Sequence, residues 1–142
     1  MKVWLVAGIL GLAIASTWAQ NTDSKQDDKW VAPPDEAAKT NPLAGNADAV
    51  AGGHKLFLRS CAECHGEDGT GVQEGVANLQ LPAVQKQSDG SFFWKITNGN
   101  VKKGMPAFAR LPEAQRWQIV SFLRTLKPSA PGDGQPTSPN AQ

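Results

Sequence analysis

An all-α domain is predicted by three stretches of helical periodicity and by a compact cysteine–histidine motif that closes the first of them. The stretches cover residues 47–61, 88–99 and 112–127, and the motif is Cys61-Ala62-Glu63-Cys64-His65. With 142 residues there is room for one domain, and no internal repeat divides it.

Lys2, an uncharged apolar run over residues 3–15, and small residues at Thr17 and Ala19 precede Gln20. That is the pattern of a secretory signal peptide at 1–19, cut before Gln20; an uncleaved N-terminal membrane anchor is the alternative. No cysteine lies near the cut, so a lipid-linked N-terminus is excluded. The expected location is the periplasm. Removal of Lys2 leaves basic and acidic side chains equal in number, which gives no footprint for nucleic acid.

Residues 20–46 are polar and proline-bearing, and they read as an extended arm that buries little. Trp30 is the one large apolar group there. It is either a loose ring or a pin that holds the arm on the domain, and the cost of a freely exposed indole favours the pin.

In the first helix, from Ala47 or Asp48 onward, Val50, Gly53, Phe57 and Cys61 recur on one face. Glycine inside a helix costs about 1 kcal/mol against alanine, so a close helix crossing at Gly53 is one explanation and simple tolerance another. After the motif, Gly66-Glu67-Asp68-Gly69-Thr70-Gly71 lacks the alternating ligands of a calcium loop and reads as a tight turn. Leu79, Leu81 and Val84 form an irregular apolar wall around Pro82.

Ser88 is the candidate N-cap of the middle helix, with Asp89 suited to the dipole. Phe92, Phe93 and Ile96 make its apolar stripe, and Gly99 ends it. Trp94 falls off that stripe. In the last helix Pro112 and Glu113 belong in the first turn, and Ile119, Phe122, Leu123 and Leu126 follow helical spacing. Arg124 and Lys127 occupy its last turn before Pro128. Residues 128–142 read as a disordered tail, leaving 47–127 as the domain.

Two cysteines separated by two residues and followed by histidine are the attachment pattern of a c-type haem. Thiols of Cys61 and Cys64 form thioethers with the vinyl groups, and His65 supplies one axial ligand. Too few other ligands remain for a closed zinc site. For the other axial position the chain outside 1–19 offers one methionine, Met105 in Gly104-Met105-Pro106, and one further histidine, His54. His54 lies two helical turns before Cys61, about 10 Å along the same helix, which makes a reach across the ring awkward. Met105 sits in a loop stiffened by Pro106, so it is the stronger candidate, although a lone methionine also serves as core filler.

These residues resemble class I cytochromes c, the small bacterial type with a single haem. The resemblance rests on Gly53, Phe57, the 61–65 motif, Leu79, Ser88-Asp89-Gly90, Met105-Pro106-Ala107-Phe108 and the helix from Trp117 to Leu126. It implies three to four helices around one covalently bound haem c, with the first and last helices crossing where Gly53 and Phe57 meet Ile119 and Phe122. It also implies His65 and Met105 as the axial iron ligands. Many relatives carry a proline after the glycine turn, near the carbonyl that orients the histidine. Here Gly75-Val76-Ala77 stands in its place, and a main-chain carbonyl from that stretch serves instead.

The expected function is one-electron transfer, with a donor dehydrogenase or cytochrome complex and an acceptor oxidase or reductase as partners. A fixed haem subunit of a larger membrane-associated complex is the alternative. An enzyme such as a peroxidase would require an open sixth position with acid–base groups beside it, and no second histidine neighbours Met105 in the sequence. Lys86, Lys95, Lys102, Lys103 and Arg110 form either a basic fringe that steers an acidic partner or an ordinary solvated surface.

Overall fold

A computed structural model describes residues 30–127. The expected signal peptide at 1–19, the start of the arm and the tail at 128–142 lie outside the described residues. The helices are α1 (Pro34–Ala37), α2 (Ala47–Ser60), α3 (Ala62–His65), α4 (Pro82–Gln85), α5 (Asp89–Asn98) and α6 (Glu113–Leu123), with a 3-10 turn at Val101–Lys103. The all-α expectation holds, and α2, α5 and α6 are the three helices read from periodicity. The others are single turns that fold the connections back onto these three.

Helix α2 starts where Asn46 caps it, the side-chain oxygen accepting from Ala49 N at 3.0 Å. Asp48 in its first turn and Arg59 in its last complement the dipole. Its buried residues are Ala49, Gly53, Leu56 and Phe57, so the inward face is rotated slightly from the expected stripe and Val50 is only half-buried. Leu56 and Phe57, adjacent in sequence, share that face because the stripe is wider than one row.

A Cβ on Gly53 would stand 1.9 Å from the Gln118 carbonyl oxygen and 3.1 Å from Ile119 N. The α2 backbone therefore rests directly on the α6 backbone, which identifies the crossing and explains the glycine. Beside it the Phe57 and Phe122 rings meet at 5.1 Å, and Phe57 and Ile119 are each 1% exposed. Burying a side chain of this size contributes about 1.5–3 kcal/mol. The core continues through Leu56, Phe92, Phe93, Ile96, Trp117, Val120 and Leu123, with Phe93 stacked on Trp117 at 4.0 Å.

Helix α6 differs from its sequence reading in length and in burial. It ends at Leu123, and Arg124 is its C-cap; the chain then tightens, Thr125 N donating to Phe122 O at 2.8 Å. Trp117, Ser121 and Val120 are buried together with Ile119, Phe122 and Leu123. A single stripe does not describe this helix because a second layer covers it. Asn41 Nδ2 donates to Ser121 Oγ at 2.9 Å and to Trp117 O at 3.3 Å, all inside the protein.

That second layer is the described part of the expected arm. Residues 30–46 carry α1 and bury Ala32 and Asn41, in contrast to an extended segment that buries little. Ser88 Oγ donates to Ala37 O at 2.6 Å, and a Cβ on Gly90 would come 2.1 Å from Glu36 O. Attachment here runs through backbone carbonyls and short polar side chains, which composition weighs as solvent-loving. Trp30 is a pin: its Nε1 donates to Gly99 O at 2.8 Å.

Helix α5 follows its reading closely. Ser88 Oγ accepts from Ser91 N at 3.1 Å, Phe92, Phe93 and Ile96 are buried, and Gly99 caps the end at φ +62°. Arg124 fastens α6 to it, donating to Asp89 Oδ1 at 2.6 Å and to the carbonyls of Gln85 and Gln87 at 2.7 and 2.5 Å.

Gly53→Ala should lower stability by at least about 1–3 kcal/mol, the usual cost of overpacking, because the obstruction is backbone and cannot rotate away. Denaturant unfolding of the intact protein measures this; a loss under about 0.5 kcal/mol, the scale of an ordinary surface change, would contradict the crossing.

Candidate haem-attachment site

The motif begins where α2 stops. Cys61 N donates to Phe57 O at 2.8 Å, and His65 N donates to Cys61 O at 3.0 Å, so the last turn of α2 runs on into α3. Three-residue spacing on this turn sets Cys61 and Cys64 on one side, with His65 next to them. Both cysteines are half-buried, and no disulfide joins them. Burial, and secondarily the neighbouring Cys64, pushes the Cys61 thiol up to about 11. A thiol held protonated at neutral pH is poorly suited to disulfide exchange.

The His65 ring is fixed from one side. Its Nδ1 lies 3.2 Å from Ala77 O. A carbonyl only accepts, so Nδ1 carries the proton and the Nε2 lone pair is left for a metal. Burial holds the imidazole below its ordinary value of 6.5, and the Ala77 carbonyl offsets this only in part. The neutral ring, the form that ligates metals, therefore prevails at neutral pH.

The 66–80 loop brings that carbonyl into place. Gly71 N donates to His65 O at 2.7 Å, Val72 N to Cys64 O at 3.0 Å, and Leu79 N to Gly69 O at 2.7 Å. Asp68 turns onto its own loop, accepting from Thr70 N and Oγ1, and the bond from Thr70 N is the main reason its carboxyl sits below the usual range. Leu79 and Val84 pack against the core, while Leu81 is 39% exposed and does not join them. Pro82 opens α4 there, with Leu81 as its N-cap.

Met105 belongs to a different element. Asn100 N donates to Met105 O at 2.9 Å and Met105 N to Asn100 O at 3.1 Å, closing a small loop over the 3-10 turn. Phe108 N then ties the chain to Ile96 O at 3.0 Å. Met105 is half-buried and is not packed against the core cluster, so core filling does not account for it. His54 is exposed and stacks on Phe122 at 4.7 Å, at the seam of α2 and α6. The motif turn, through Cys61 and Ala62, and the Met105 loop, through Phe108, border the same apolar cluster. Two thiols, a neutral imidazole with a free Nε2, and a half-buried thioether are a donor set that fits haem c.

Sequence reasoning missed Asn100, whose main chain pairs with Met105, and Gln85, whose Nε2 bridges Leu79 O and Leu123 O. The glycines at 99 and 104 that bracket the turn were a usable signal for the first. Among the expected basic fringe, Lys86, Lys102, Lys103 and Arg110 are exposed, but Lys95 is buried. Its ammonium lies 4.6 Å over the Trp30 ring and donates to Gln87 Oε1 at 2.6 Å.

Residues 48–123 match the family model described as cytochrome C oxidase, cbb3-type, subunit III. The chain belongs to this cytochrome c family. A crystal structure of cytochrome cL from the marine methylotrophic bacterium Methylophaga aminisulfidivorans superposes with a TM-score of 0.53 at 21% identity, covering 62% of this chain. The match takes in 59% of that protein and shows a shared fold. A second solved structure, the KustC0563 c-type cytochrome, gives 28% identity and a TM-score of 0.48 over 53% of this chain and 96% of its own. No curated protein sequence matches. The cytochrome domain thus carries covalently bound haem and serves electron transfer, and the partners of such a domain are redox proteins. Cytochrome c domains are typically exported, and no helix among the described residues is long and apolar enough to cross a membrane.

Burial holds the Lys95 ammonium below its ordinary value of 10.5, with no carboxylate paired to it among the described residues. The unfolded chain binds this proton more tightly, so the charged lysine costs stability at neutral pH and the cost fades as pH rises through its lowered value. Unfolding free energy of the native cytochrome should rise relative to Lys95→Met as pH approaches 10.5. Parallel denaturant titrations at several pH values measure the difference, and a pH-independent gap would refute the burial argument.

Proposed function

We propose that this cytochrome is a periplasmic one-electron carrier, with residues 1–19 removed as a signal peptide and the haem domain spanning 47–127. Cys61 and Cys64 would hold one haem through thioethers, and His65 and Met105 would supply its two axial ligands. The observation that carries the reading is the Nδ1 contact of His65 with Ala77 O, which leaves Nε2 available on the same turn as both thiols.

When bound, the haem supplies an iron that accepts and releases one electron. The protein's own groups set the conditions. His65, oriented by Ala77, gives a neutral nitrogen donor. Met105 gives a neutral thioether, which favours the less charged ferrous state and raises the potential relative to two histidines. With both positions filled by the chain, no site is left for oxygen or a substrate.

A second reading, a haem subunit of a larger oxidase or dehydrogenase complex, is supported by the description of the matched family. Purification from the source membrane and periplasm separates the two: a shuttle elutes alone, a subunit with its complex.

Replacing Met105 with alanine should abolish the thioether-to-iron absorption at the red end of the ferric spectrum and lower the midpoint potential. An unchanged spectrum would refute the ligand assignment. The double substitution Cys61→Ser with Cys64→Ser should yield protein whose haem is removed by acidic solvent extraction; haem retained after extraction would show attachment elsewhere.

A further inference from the structure

We infer that Trp30 is a positioning residue for Met105, holding the ligand loop closed through the peptide unit between Gly99 and Asn100. The inference rests on the reading of Met105 as an axial ligand.

Trp30 Nε1 donates to Gly99 O at 2.8 Å. That oxygen shares one planar peptide group with the Asn100 N–H, which donates to Met105 O at 2.9 Å. Met105 N returns a bond to Asn100 O at 3.1 Å. In a trans peptide the C=O and N–H point oppositely in one plane, so fixing the oxygen fixes the direction of the hydrogen. Bonds arranged in series through one amide also polarise one another.

The unit is held at its α-carbon as well. Gly99 has φ +62°, and a Cβ there would come 2.5 Å from the carbonyl carbon and oxygen of Pro106. The residue next to Met105 thus packs against the same peptide that Trp30 grips. Trp30 is itself placed from the other side: Lys95 Nζ sits 4.6 Å over its ring, and Ala32 anchors the following chain at 6% exposure.

An external ligand reaches the iron only when Met105 and its loop move away, so its apparent affinity scales with the open fraction. Moving the Gly99–Asn100 peptide breaks the indole bond, and Trp30 therefore suppresses opening. Trp30→Phe keeps a smaller aromatic ring over which Lys95 can lie and removes the donor. Imidazole should bind the ferric variant about fivefold more tightly than the native protein, the equilibrium worth of one such hydrogen bond. The thioether absorption should disappear at correspondingly lower imidazole. A lowered unfolding midpoint with unchanged imidazole affinity would mean that Trp30 is merely structural and would overturn the inference.

The native protein is the control for the ligand reading. If it lacks thioether absorption, the assignment of Met105 fails independently of Trp30. The hold on the loop is then read from amide hydrogen exchange at Asn100 and Met105, expected to be about fivefold faster in Trp30→Phe. Unchanged exchange would overturn the inference on its own.

Discussion

The direct contact of α2 with α6 at Gly53 is the constraint on which the other packing depends. With the Gln118 carbonyl where a side chain would otherwise stand, the two helices approach closely enough for Phe57 and Phe122 to meet beside the crossing. The position of α2 then fixes the motif, because Cys61 closes the helix with its own N–H on Phe57 O. The chemistry-bearing turn is thus an extension of the helix whose backbone rests on α6 at Gly53.

A second tier of contacts keeps the remaining segments in register. Arg124, at the end of α6, binds Asp89 and the carbonyls of Gln85 and Gln87, and lies over Phe92 at 4.7 Å. One guanidinium therefore joins three parts of the chain with a planar fork that a lysine does not reproduce. On the opposite side Arg116 lies over Phe93 and donates to Leu111 O and Thr97 Oγ1. Both guanidiniums lie against an aromatic face while donating to oxygens around it.

Much of this was legible in the sequence, for identifiable reasons. Ser88, Gly99 and the apolar residues of α5 are local signals, and local signals survive folding. The 61–65 motif is equally explicit, since its chemistry requires those residues at that spacing. Less legible was the segment at 30–46, because Asn41 and Ser121 bury polar groups that satisfy each other only once both segments are in place. The second buried side of α6 was hidden for the same reason. The glycine at 53 left close approach and simple tolerance open, the resemblance pointed to the last helix, and the fold sets the Gln118 carbonyl against it. The carbonyl at Ala77 lay within the stretch marked by the missing proline, and its choice among three residues is a matter of loop geometry.

Lys95 shows how a sequence-based charge map misleads. Counted with its basic neighbours, it belongs to a positive surface; in the fold its ammonium rests on an indole with a glutamine oxygen as its polar contact. Mobile ions screen exposed charges over about 10 Å at 0.1 M ionic strength, but they reach a buried charge far less. The salt sensitivity of any encounter at this surface therefore reports on Lys86, Lys102, Lys103 and Arg110, and the lysine among them in the sequence stays outside that count.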